Sequence, residues 1–166
     1  MDPLVVTLEL DEETQQRFDA ERRELFPAGR TAVGAHLTLF HAVPGERERQ
    51  VLADVAQEAR RPTFGLRVRE VMALGRGAAY RLEAEELVAI HRRLQRAWAD
   101  GLTRQDGQGL RPHVTVQNKV TPEVARATVE RLRAGFEPYD VTAAALAVWR
   151  YVGGPWEPVE RFPFEG

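Results

Sequence analysis

Two stretches of this chain carry the same four-residue pattern, a histidine, an apolar residue, a threonine and a second apolar residue: His36-Leu37-Thr38-Leu39 and His113-Val114-Thr115-Val116. Together they use two of the four histidines in the sequence. An imidazole titrates near neutral pH, so two of them can hold opposite protonation states and serve as general base and general acid in one reaction. A threonine hydroxyl beside each imidazole can donate a hydrogen bond to a non-bridging oxygen. Two such pairs around a phosphate supply a base, an acid and two oxyanion donors, which is what in-line displacement at phosphorus requires when no metal takes part. The carboxylates nearby show no metal-ligand spacing, and two histidines from distant segments form an incomplete zinc site, so no metal or other cofactor is expected.

Both motifs read as strands, in which side chains alternate between faces. His36, Thr38 and Phe40 then share one face, and Leu37, Leu39 and His41 the other. In the second copy His113, Thr115, Gln117 and Lys119 share a face, with Val114 and Val116 turned away. Each strand acquires a polar face for a cleft and an apolar face for a core. His41 falls on the opposite side from His36 and reads as a structural or surface residue. His91, in Ile90-His91-Arg92-Arg93, reads as a solvated position on a helix flank.

The elements that must hold these strands follow from periodicity and turn chemistry. A first strand spans 4–10, and Asp11-Glu12-Glu13 opens a helix to about residue 26, with acidic residues where the helix dipole favours them. A loop over 27–35 leads to the first motif strand, 36–43. Pro44-Gly45 ends it, and a helix over 46–60 and a strand over 64–74 follow. The second half runs in the same order: a strand at 78–82, a helix over 84–99 with Leu87, Ile90, Leu94 and Trp98 at helical spacing, a Gly-containing loop over 100–112, and the motif strand 113–120. Thr121-Pro122 is a good helix start, as N-cap and first helical residue, for a helix ending near Gly135. A strand at 139–148 and a closing strand in the tail, 151–166, complete the chain. The two halves are offset by about 77 residues, and a pseudo-twofold arrangement would set the motif strands side by side across a cleft.

With 166 residues, 43% of them hydrophobic, the chain suits one domain with a real core, taken as 1–166 with lobes of approximately 1–75 and 76–166 whose termini can cross over. No run is long and apolar enough to span a bilayer, and Met1-Asp2-Pro3 does not open a signal stretch. A cytoplasmic protein without a membrane partner is expected. The absence of cysteine excludes disulfides and thiolate catalysis. A net charge of −2 argues against bulk electrostatic binding of nucleic acid, so a polyanion must be met locally. Of the 23 basic residues only Lys119 is lysine.

The doubled motif, its spacing and the order of elements resemble the 2H phosphoesterase superfamily, defined by two His-x-Thr/Ser-x motifs and containing the 2′-5′ RNA ligase-like proteins and 2′,3′-cyclic phosphodiesterases. The resemblance implies an α+β fold, bilobal, with two pseudo-twofold-related lobes of antiparallel sheet and outer helices. It further implies metal-independent hydrolysis of 2′,3′-cyclic phosphates on RNA ends or small nucleotides, with a reverse 2′-5′ ligation open to the same site. One of His36 and His113 would activate water and the other protonate the departing ribose oxygen, with Thr38 and Thr115 on the phosphoryl oxygens. The partner would be an RNA end or cyclic nucleotide rather than DNA, and the protein a monomer.

Around the motifs, Phe40 is either a base-stacking wall or a core residue, and Lys119 either approaches phosphate or is solvated at a strand end. Arg111, before the second motif, and Arg30, in the corresponding loop before the first, could guard the cleft mouth, and Tyr80 and Trp149 are candidate nucleobase contacts. A non-catalytic nucleotide or RNA-binding module on the same fold is the alternative.

Overall fold

The computed structural model describes residues 1–27 and 33–166. Seven strands form one antiparallel sheet: β1 (Leu4–Leu10), β2 (Leu37–Val43), β3 (Phe64–Ala73), β4 (Ala78–Glu83), β5 (His113–Gln117), β6 (Tyr139–Arg150) and β7 (Glu157–Pro163). Four helices cover it: α1 (Glu12–Leu25), α2 (Glu48–Glu58), α3 (Glu85–Ala97) and α4 (Pro122–Ala134). Among the described residues no helix is long and apolar enough to cross a membrane.

The strand order is β2-β1-β6-β3-β4-β5, with β7 also on β6. The long β6 is the hub. Its first half pairs with β3 through Tyr139 to Ala143, and its second half pairs with β1 and with β7. Small side chains suit such a crowded centre, and Ala143, Ala145 and Ala147 are all buried. The two motif strands therefore lie at opposite ends of the order, where no sheet ladder joins them. The sheet curls into a half-barrel, and β2 approaches β5. Leu8, Leu37, Phe18 and Val114 close the space between the two edges.

The helices cross between the two sheet regions. α3 packs beside β2: Phe40 lies between His91 and Trp98, at ring-centroid distances of 4.7 and 4.9 Å, and the Trp98 indole N–H donates to Asp54 on α2 at 2.9 Å. α1 comes from the first half of the chain but packs on β4 and β5, with Phe18 stacked on Tyr80 at 5.3 Å. Its start is capped by Asp11, whose carboxylate accepts from the Thr14 backbone N–H and from that of Thr142 on β6. The Thr121 cap and Pro122 start of α4 are as the sequence indicates.

One face of α1 grips the chain just before His36. Gln15 Nε2 donates to the Ala35 carbonyl at 2.7 Å, Asp19 accepts from the Ala35 N–H at 2.7 Å, and Arg22 Nε donates to the Val33 carbonyl at 3.0 Å. These residues are spaced i, i+4, i+7 and so fall on one helix face. Arg22 Nη1 also donates to the Thr115 carbonyl in the second motif at 2.7 Å. A single buried guanidinium thus bridges the approach to the first motif and the heart of the second.

Each motif also carries a local irregularity. Across the β1–β2 ladder Thr7 faces Thr38 but Val6 faces Phe40, leaving Leu39 as an extra residue. Across β4–β5 Ala79 faces Thr115 but Ala78 faces Gln117, leaving Val116 extra. Both are β-bulges at the fourth motif position, and a bulge breaks the two-residue alternation. Phe40 and Gln117 therefore turn away from the histidine face, and both are buried. Of the two readings of Phe40, base-stacking wall or core residue, the structure gives the core residue, so it is not a substrate contact.

Two stability measurements follow. As a core residue between two rings, Phe40→Ala should lower the unfolding free energy by about 3–5 kcal/mol, read from urea titrations, where a cleft-wall phenylalanine would lose far less. Arg22→Met leaves two buried carbonyls without their donors and should cost about 2–4 kcal/mol; Arg22→Lys should recover part of it, and an unshifted midpoint in Arg22→Met would rule out the bridge as a stabilising contact.

Candidate active site

In both motifs the flanking apolar residues are core: Leu37, Leu39, Val114 and Val116 are at most 2% exposed. His36, Thr38, His113 and Thr115 are half-buried on the other face. The two imidazoles are held in the same way. His36 Nδ1 donates to the Gly34 carbonyl at 2.8 Å, and His113 Nδ1 donates to the Arg111 carbonyl at 2.8 Å. A carbonyl can only accept, so each Nδ1 carries a proton and Nε2 is the nitrogen left to exchange one. Each ring is thereby fixed by the backbone two residues upstream of itself.

Burial pushes the His36 imidazole below its ordinary titration range, against the hydrogen bond to Gly34, and the positive charges of Arg22, His113 and His41 add to the depression. The neutral form of His36 is the stable one, and its Nε2 lone pair can accept a proton. His113 is near enough for its charge to act on His36.

Two hollows reach the motif residues. One, of about 570 Å³, is lined by Thr38, His41, His91, Asp106, Arg111 and His113. The other, of about 340 Å³, is lined by His36 together with Gln15, Trp149, Trp156 and Arg161. The Trp156 ring lies 4.7 Å from the His36 ring, tilted by 57°, and 6.1 Å from that of Trp149. The Trp149 indole N–H donates to Thr7 Oγ1 at 2.9 Å. Both volumes are in the range of small-molecule sites.

Of the neighbours singled out from sequence, Arg111 and Trp149 line these hollows, while Phe40 and Tyr80 do not. Tyr80 pairs with Val114 across β4–β5, on the core face. It is 6% exposed, and its hydroxyl donates to Glu21. Burial, followed by that carboxylate, pushes its pKa far up. Lys119 lies in the exposed turn beyond β5, with a left-handed φ of 65°. The strand ends at Gln117 rather than continuing to residue 120, which carries Lys119 away from the His113 face. Arg30 lies outside the described residues.

Sequence reasoning missed the contribution of three residues. His91 is 4% exposed rather than solvated; it stacks on Phe40 at an interplanar angle of 13°, and burial lowers its pKa. Asp106 is buried and accepts from the backbone N–H groups of His41 and Ala42, both at 2.8 Å, and from His41 Nδ1 at 3.2 Å. Burial raises its pKa, but these bonds outweigh it and keep the carboxyl ionised. Asp106 thus pins the loop before the second motif onto the strand of the first. His41 serves this structural contact and also lines the hollow. Trp156 could have been found from Gly153-Gly154-Pro155, a turn signal that makes β6 and β7 a hairpin and sets the two tryptophans near each other. Among the described residues no group of three or more His, Asp or Glu side chains could hold a metal ion.

The fold is shared with solved structures. The Thermus thermophilus protein TT0787 is similar with a TM-score of 0.68 at 19% identity, the alignment covering 99% of this chain and 98% of that one. Escherichia coli LigT, crystallised with 3′-AMP, is similar with a TM-score of 0.64 at 19% identity, covering 99% of both chains. A protein described as a phosphoesterase gives a TM-score of 0.64 at 20% identity over 99% of each chain. No functionally curated protein sequence matches. The profile of the 2′-5′ RNA ligase superfamily matches residues 10–155, a span that holds both His-x-Thr-x strands and the α1 clamp between them, and the chain belongs to that superfamily.

Proposed function

We propose that this protein hydrolyses 2′,3′-cyclic phosphates of RNA ends or nucleotides by metal-independent acid–base catalysis. The observation that carries the reading is the matched pair of half-buried imidazoles, each with Nδ1 committed to a backbone carbonyl and Nε2 left to move a proton. His36, kept neutral by burial, takes a proton from the attacking water. The water oxygen bonds to phosphorus, one ribose P–O bond breaks in line with it, and His113 gives its proton to the departing ribose oxygen. Thr38 and Thr115 donate to the non-bridging oxygens, where charge develops. Trp149 and Trp156 offer aromatic faces beside His36 for a nucleobase, since stacking accepts any base. LigT has been crystallised with 3′-AMP and with ATP, which supports a nucleotide as the ligand here. The same steps, with a 5′-hydroxyl of RNA attacking phosphorus in the place of water and the ribose 3′ oxygen departing, would give a 2′-5′ linkage; hydrolysis is favoured in bulk water.

Two measurements test this. With excess chelator present, the protein should open a 2′,3′-cyclic nucleotide, and His36→Ala and His113→Ala should each lower kcat by about 10²–10⁴-fold, the range of one general acid–base contribution. Full turnover in either variant, or ligand binding with no product from the unmodified protein, would remove the two-histidine reaction. The pH dependence follows from the direction of the His36 shift. The base must be neutral and its pKa is depressed in the folded protein, so kcat/KM should rise with pH through a midpoint below the ordinary imidazole value of about 6.5. A midpoint above it would reassign the base.

A further inference from the structure

A larger hollow of about 750 Å³ lies on the outer side of the His113 loop, between the end of β4, the start of α3 and residues 110–112. Its floor is apolar, formed by Leu82, Val88, Ala89 and Leu110. Leu110 and Arg111 line both this groove and the hollow that holds Thr38 and His113. The two spaces are therefore neighbours across one arginine. Arg92 from α3 stands on the same wall. Both guanidiniums are on exposed residues, and among the described residues neither forms a salt bridge. Arg81, which also lines the groove, is committed to Glu70 and Glu83. Glu83 is further neutralised by Arg69, which leaves Glu85 as the remaining carboxylate on the wall.

We infer that this groove receives the nucleotide on the 5′ side of the reacting one, so that the preferred substrate is an oligoribonucleotide with a cyclic end rather than a mononucleotide. The inference rests on the cyclic phosphodiesterase reading above. A cyclic phosphate at a 3′ end leaves the 5′ oxygen of the same nucleoside as the point where the rest of the chain departs. A chain leaving the His113 hollow past Leu110 brings its first phosphodiester to Arg111, where a planar fork of donors suits a phosphate. The next nucleoside then lies over the apolar floor, and Arg92 meets the phosphate beyond it. A net charge of −2 leaves no broad basic surface to hold RNA, so local cations beside an apolar seat are the means by which a neighbouring nucleotide would be recognised.

Three probes with the same terminal base separate the parts: adenosine 2′,3′-cyclic phosphate, its 5′-phosphorylated form, and the 5′-phosphorylated pApA dinucleotide with a cyclic end, which carries the phosphate that Arg92 would meet. For the unmodified protein kcat/KM should rise along the series, by about tenfold or more from first to last, the size of one charge-assisted hydrogen bond. Val88→Trp, which fills the groove, and Arg92→Glu, a charge reversal at an exposed position, should each shrink the ratio of dinucleotide to mononucleotide toward one. The ratio is internally normalised, so a general loss of folded protein leaves it unchanged. Turnover of all three probes with equal kcat/KM, or a ratio kept in both variants, would overturn the groove while leaving the cyclic phosphodiesterase reading intact. Failure to open any of the three would instead overturn that reading, and the groove with it.

Discussion

Two strands at opposite ends of one sheet must be held at a fixed spacing, and no sheet hydrogen bond can do it. The curl of the sheet brings β2 and β5 near each other, but their register is set by α1, whose Arg22 donates to Val33 just before the first motif and to Thr115 within the second. The energetics favour such a device. A buried guanidinium is costly to leave without partners, and two carbonyl acceptors on segments far apart in sequence satisfy it only when both are in place. The helix that carries Arg22 is in turn fixed by its Asp11 cap to β6, the hub of the sheet. Positioning of the histidines is thus a property of the whole fold, transmitted through one helix face.

Within that frame the two motifs are built alike in ways that go beyond their shared letters. Each imidazole is oriented by the carbonyl two residues earlier, and each strand bulges at the fourth motif position. The bulges have a consequence for packing. They turn Phe40 and Gln117 into the core, off the face that carries the histidine and threonine of each copy. Phe40 then becomes a packing centre for α3, between His91 and Trp98. The loop before the second motif is held onto the first by Asp106, which gives the His113 side its own link to β2, independent of α1.

The electrostatics of the pair are unequal although the geometry is matched. His36 is desolvated and surrounded by Arg22, His113 and His41, so its neutral form is preferred and it suits the role of base. The surroundings are also unequal: each hollow carries an arginine, Arg161 beside His36 and Arg111 beside His113, but the two tryptophans line only the His36 hollow.

The sequence by itself determined the order of the elements and the two His-x-Thr-x motifs. Hydrophobic periodicity, the Asp11 and Thr121 caps and the Gly and Pro turns are local signals, and local backbone preference decides helix against strand wherever core burial agrees with it. The face carrying His36 and Thr38 was legible because strand alternation holds over three residues. It failed at the residue after each motif, Phe40 and Gln117, because a bulge is a property of the ladder between two strands and leaves no mark in one strand alone. Tyr80, Lys119 and His91 were misplaced for the related reason that burial depends on which element arrives opposite: α1 covers Tyr80, β2 brings Phe40 onto His91, and a turn takes Lys119 out of the strand. Trp156, Asp106 and Arg22 act on groups 65 to 120 residues away in sequence. Only the tertiary structure could assemble these, since the free energy of such contacts appears only once the sheet has curled and the helices have crossed.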